Sequence, residues 1–141
     1  MLPPQLRRND AELAIIRAIV DGGNDSPVLM MNLNRYTPDA AFPEGALYRR
    51  YISGLESMLA AVGARILWRT PVLGQAVGTH HIDEILAVWY PSHQIFLDLG
   101  EAPGAAENYR LRGLCVADAV IHRCPGNSQP RGADDQPRRR D

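Results

Sequence analysis

The pattern of apolar positions along the chain alternates between two periods. Asn9 followed by Glu12 has the form of a helix start, by analogy with the Ser/Thr capping box. Leu13, Ile16 and Val20, flanked by Ile15 and Ile19, then recur at helical spacing until Gly22-Gly23 stops them. Residues 27–36 (PVLMMNLNRY) change to strand character, opened by Pro27. Over 45–63 the spacing returns to three and four, with Tyr48, Tyr51, Ile52, Leu55, Leu59 and Val62 on one face and Gly63 as terminator. Residues 64–77 predict a long strand interrupted at Pro71, where the missing N–H implies an edge or a bulge. After a loop at 78–82 (GTHHI), residues 83–90 (DEILAVWY) are almost continuously apolar and predict a central strand. Ser92 is placed to cap a helix that uses Ile95, Phe96 and Leu99. Residues 100–104 break it, and 105–114 resume it with Tyr109 facing inward. Residues 116–123 (VADAVIHR) predict a last strand.

Without the first helix the order is β-α-β-β-α-β, the split βαβ arrangement of an α+β, ferredoxin-like domain with a four-stranded antiparallel sheet. Two right-handed crossovers put both helices on one face of the sheet. The other face then needs a cover, which the first helix or a second copy of the chain can provide. The expected organisation is a helical extension over 1–26, the α/β domain over 27–124 and a disordered tail over 125–141. That tail has no apolar residue beyond Ala133.

Composition narrows the functional classes. The 141 residues carry a formal net charge of −1, which gives no electrostatic attraction to nucleic acid or an anionic membrane. All 15 basic residues are arginine, so lysine Schiff-base and lysine-nucleophile chemistry are excluded. The two cysteines, Cys115 and Cys124, lie roughly 30 Å apart if an extended strand joins them, too far for a disulfide. No metal-ligand cluster, phosphate loop or nucleophile elbow is present, since GARILW and GQAVGT fit neither pattern. No cofactor is therefore expected. The start MLPPQLRRND lacks a signal-peptide core, and no apolar run is long enough to span a bilayer, so the expected setting is the reducing cytoplasm.

Candidate chemistry comes from the polar residues on apolar elements. Alternation along 27–36 separates Leu29, Met31 and Leu33 from Val28, Met30, Asn32, Asn34 and Tyr36. The wholly apolar triple is expected against the helices, which turns Asn32, Asn34 and Tyr36 to the opposite face. There a buried amide must find a hydrogen-bond partner, and a ligand carbonyl is one possibility beside the backbone. His81 and His122 are the candidate general bases, because imidazole titrates near neutral pH. His80 and His81, adjacent in extended chain, point apart and do not share a metal. His93 is expected exposed in the first turn of its helix. Trp68 and Trp89 lie on neighbouring strands and are candidate pocket walls or interface residues. Arg35, Arg69, Arg110 and Arg112 have the chemistry to bind a carboxylate, with nothing in their context to select one.

Three segments together resemble a family. MMNLNRY, the helix ending in Gly63-Ala64-Arg65, and EILAVWYPSHQIFLDL are similar to an uncharacterised domain-of-unknown-function family of the dimeric α/β-barrel superfamily. The likeness spans about 27–123 and is most specific at Asn32-Leu33 and Tyr90-Pro91-Ser92; family members often have Phe where Tyr90 stands. It implies a ferredoxin-like fold that forms homodimers through its sheets, and no particular activity. The combined expectation is a small soluble homodimer holding a small organic molecule in a pocket, or acting on it by proton transfer or oxygenation without a cofactor. The alternative is a non-catalytic binding or dimerisation module with no open pocket.

Overall fold

The computed structural model describes residues 8–127. Its elements are α1 (Asp10–Asp21), β1 (Val28–Tyr36), α2 (Ala46–Ala61), β2 (Arg65–Pro71), β3 (Glu84–Tyr90), α3 (His93–Leu97), α4 (Ala105–Cys115) and β4 (Val116–Pro125). The four strands form one sheet in the order β2-β3-β1-β4, and every neighbouring pair is antiparallel. This is the ferredoxin-like topology that the element order predicts.

Local signals explain most boundaries. The Asn9 side chain accepts from the Glu12 amide, 3.2 Å away, and Ser92 Oγ accepts from the Ile95 amide at 3.1 Å, so both predicted caps are made. Gly63 closes α2 at a φ of 77°, a conformation that favours glycine. Gly45 precedes α2 where a Cβ would lie 2.2 Å from the Ala40 carbonyl oxygen, so only glycine lets the β1–α2 loop fold back this tightly.

Three local expectations are corrected. β2 ends at Pro71, and 72–83 is a loop; the register irregularity falls between Ile66 and Trp68, not at Pro71. Tyr109 is 39% exposed, and α4 turns Asn108 and Leu111 inward instead. β4 runs on through Pro125, where the tail was expected to begin; the rest of that expectation, residues 128–141, lies outside the described residues.

The largest correction concerns the two faces of the sheet. Val28, Met30 and Tyr36 belong to the core cluster together with Leu86, Val88 and Tyr90 of β3 and Tyr48, Ile52, Met58 and Leu59 of α2. The helices therefore cover the even-numbered side of β1, which carries Asn32 and Asn34, and leave Leu29, Met31 and Leu33 on the other side. α1 joins the same covered face. Its Ile16 is part of the core cluster, it packs against α3, and its Glu12 pairs with Arg123, which stands opposite Met30 in the β1–β4 register. The first helix thus provides no cover for the open face.

His93 is buried, contrary to its expected exposure. Its Nδ1 lies 3.0 Å from Asp25 Oδ1 and 3.0 Å from the Ser26 carbonyl oxygen. The Asp25 carboxylate also accepts from the His93 and Gln94 amides, at 2.7 and 3.1 Å. Desolvation would raise the Asp25 pKa, but these hydrogen bonds outweigh it and hold the carboxyl below its ordinary range. A residue 68 positions earlier thereby anchors α3 beside the entrance to β1.

Candidate functional site

Alternation along three strands brings a polar group to one end of the covered face. Asn34 stands opposite Glu84 in the β1–β3 register. Arg69 of β2 pairs with Leu86, two residues beyond Glu84 on the same side of β3. Tyr36 ends β1, and Tyr48 enters from the first turn of α2. Glu84, at 2% exposure, is the centre. Its Oε1 accepts from the Tyr36 hydroxyl at 2.6 Å. The Tyr48 hydroxyl lies 2.8 Å from both carboxylate oxygens, and Arg69 Nη1 reaches Oε2 at 3.2 Å. The same nitrogen donates to the Tyr48 hydroxyl at 2.9 Å. Asn34 Nδ2 completes the group with a long contact of 3.4 Å to the Tyr36 oxygen, while its buried Oδ1 has no partner.

The electrostatics follow from burial. Desolvation, reinforced by the Glu84 charge, pushes the Tyr36 and Tyr48 phenols well above their ordinary values, so both stay protonated as donors. Burial works against the Arg69 charge, but Tyr48 and Glu84 outweigh it and raise its pKa. A buried carboxylate without such partners would cost several kcal/mol, roughly the effective penalty for a desolvated ion.

Glu84, Tyr48 and Arg69 also line an open cleft of about 340 Å³ under the start of α2, with Phe42, Pro43 and Ile52 as its apolar wall. The Phe42 ring stacks on Tyr36 at 5.0 Å and meets Tyr48 edge-on at 4.8 Å. Beyond Phe42 lies a second cleft of about 470 Å³, lined by Arg35, Tyr36, Thr37, Phe42, His81 and Asp83 among others. There the Asp83 carboxylate accepts from the Tyr36 amide at 2.8 Å and stands 3.3 Å from His81 Nε2. The neighbours Asp83 and Glu84 therefore serve two different clefts.

The residues singled out from the sequence do not meet at one place. Asn34 and Tyr36 join the Glu84 group, on the covered face. Asn32 shares that face, but it is half-buried and its Nδ2 donates to the Met30 carbonyl at 3.1 Å; it lines neither cleft. His81 lies in the second cleft with a side chain 74% exposed. His122 is exposed opposite Met31 on the open face, far in register from either cleft. Trp68 and Trp89 also lie on that face. Trp89 Nε1 donates to the Gly126 carbonyl at 3.1 Å and its ring stacks under Arg65, whereas the buried Nε1 of Trp68 has no partner. Neither tryptophan lines either of these two clefts.

Sequence reading passed over Glu84, the centre of the site. The signal was present. Glu84, Leu86, Val88 and Tyr90 alternate onto one face of an otherwise apolar strand, so the glutamate had to be buried with them and had to find donors. Arg69 was among four unselected arginines until the fold brought it to this carboxylate. Among the described residues no cluster of three or more His, Cys, Asp or Glu forms a metal site, and no helix is long and apolar enough to cross a membrane.

The fold and the site define a ferredoxin-like α+β protein with a buried carboxylate at the inner wall of a cleft. Solved structures share that architecture. A protein of unknown function from Rhodopseudomonas palustris aligns over 89% of this chain and 98% of its own, with 24% identity and a TM-score of 0.69. A dimeric ferredoxin-like protein of unknown function from Thermobifida fusca aligns over 71% and 91%, with 18% identity and a TM-score of 0.53. A dabb family protein with a ferredoxin-like fold from Mesorhizobium loti aligns over 76% and 99%, with 9% identity and a TM-score of 0.53. No protein-family model and no curated protein matches the chain. These likenesses establish the fold alone.

Proposed function

We propose that this chain is a small-molecule-binding protein whose ligand enters the cleft between Phe42, Tyr48, Arg69 and Glu84. The carrying observation is the buried Glu84 carboxylate, held by two tyrosine hydroxyls and one guanidinium at the inner wall of an accessible cleft. Phe42, Pro43 and Ile52 receive the apolar body of the molecule. Tyr48 and Arg69 exchange hydrogen bonds with its polar group. The carboxylate oxygens already accept from three donors, so this cleft suits orientation of a ligand better than abstraction of a proton. A catalytic version draws its base from His81 across the Phe42 wall, without a cofactor.

The protein acts as a homodimer joined through the open face of the sheet. Met31 and Leu33 of β1, Ile85 of β3 and Trp68 of β2 are half-buried there around the buried Leu29 and Ala87, on the side that α1 does not cover. The Thermobifida fusca structure with the same fold is described as dimeric, which supports this arrangement. The two free cysteines fit a reducing compartment such as the cytoplasm; burial pushes the Cys115 thiol up to about 11 and leaves it unreactive.

A fragment screen by ligand-observed NMR, followed by calorimetry on Tyr48→Phe and Arg69→Gln, tests the binding reading. Hits should weaken about tenfold or more in Arg69→Gln, the effect of losing a charge-assisted hydrogen bond. A screen whose hits bind both variants as tightly as the parent overturns it. The second reading, a dimerisation module without a ligand, then stands on the same Glu84 group serving only to fix the packing of α2 on the sheet.

A further inference from the structure

The second cleft carries an inference independent of the Glu84 cleft. Arg35 leaves the end of β1 half-buried, and its guanidinium has no hydrogen bond or ion pair among the described residues. Two aspartates stand close in register or along the same wall, yet both are otherwise engaged. Asp118, opposite Arg35 in the β1–β4 register, lies 3.6 Å from His80 Nε2. Asp83 accepts from the Tyr36 amide and faces His81. The guanidinium of this half-buried arginine, with no partner among the described residues and at the lining of a cleft of about 470 Å³, is placed for an anion from outside.

We propose that this cleft binds a small organic carboxylate, with Arg35 as its anchor. The carboxylate accepts from the Arg35 guanidinium in the paired geometry that such groups favour. The hydrophobic part of the molecule rests on Phe42 and Pro38, and His81 borders the bound molecule from the β2–β3 loop. Asp83 positions that imidazole, and the Tyr36 amide in turn fixes Asp83. The loop carrying Phe42 is tightly folded against Gly45, so the wall between the two clefts is preformed.

The test uses the full chain, with benzoate as the probe and benzamide as its uncharged counterpart. Benzoate titrated into isotope-labelled protein should shift the resonances of His81 and Thr37 in a saturable way, and benzamide should bind about tenfold more weakly or not at all. Arg35→Gln should weaken benzoate about tenfold, Arg35→Lys should keep part of the affinity, and Arg50→Gln, on the exposed side of α2, should leave it unchanged. All these substitutions are at partly or fully exposed side chains, and an unchanged amide spectrum elsewhere confirms that each variant is folded. The proposal is overturned if benzoate and benzamide bind equally, if Arg35→Gln binds benzoate as the parent does, or if no resonance in this cleft responds.

Discussion

The two faces of the sheet solve the same problem in opposite ways. The helix-covered face, which is better shielded from water, holds the polar residues Asn34, Tyr36, Arg69 and Glu84. The open face, which none of the described helices covers, is built from Leu29, Met31, Leu33, Ile85 and Ala87, of which Leu29 and Ala87 are buried. Burial raises the cost of an unpaired polar group and the strength of a paired one, so a carboxylate is tolerated where donors converge on it. An apolar face has no such means of satisfaction and is best satisfied by another apolar surface. Polar residues in a buried strand therefore mark where donors meet, not where water is.

The largest effect that would break this contrast is at Glu84. Glu84→Ala should destabilise the fold by about 3 kcal/mol, because it strands the Tyr36 hydroxyl and part of the Arg69 charge. The melting temperature should fall by about 10 °C. A Glu84→Leu variant as stable as the parent would show that the polar group contributes nothing to the covered face beyond volume. Next, Leu33→Lys places a charge in the middle of the open face. Sedimentation at micromolar concentration should give a dimer for the parent and a monomer for the variant, with the monomer's helical signal unchanged. A parent that sediments as a monomer removes the dimer altogether.

Smaller effects sharpen the covered face. Tyr36→Phe should cost about 1–2 kcal/mol, since Glu84 Oε1 keeps Tyr48 as a second donor. Denaturant unfolding of this variant beside Tyr48→Phe would rank the two hydroxyls. The tyrosines also supply a pH signature. All five have folded-state values raised above 10.0, each chiefly by desolvation. Their neutral forms thus support the fold fully below pH 10, and that support is lost as pH rises beyond it. Phenolate absorbance should stay low past pH 10 and then appear together with loss of helical signal. Ionisation of two or more tyrosines near pH 10 in folded protein would place rings besides the partly exposed Tyr109 in water.

Much of the fold was legible because it is written locally. Asn9 and Ser92 cap helices through contacts three residues away, and the stripe of Tyr48, Tyr51, Ile52 and Leu59 needs only the helical period. Element order then leads to the split βαβ topology. The candidate site was only partly legible. Asn34 and Tyr36 bond into the Glu84 group without lining its cleft, Tyr36 and His81 line the second cleft, and Asn32, His122, Trp68 and Trp89 line neither. His93, expected in solvent, is buried by an aspartate that no local pattern connects to it.

What the sequence determined by itself is therefore the set of elements and the two alternating sets of residues on each strand, since both follow from short-range periods. Which set faces the helices was decided only in the tertiary structure. Alternation is symmetric between the faces, and on β1 both sets are apolar enough to be buried. The choice fell to contacts between distant segments: Tyr48 of α2 and Arg69 of β2 reach Glu84 of β3, and their combined hydrogen bonds make the face with the asparagines the one that can be closed. Three strands and a helix must be in place before that carboxylate has its donors, and no stretch of the chain carries them alone.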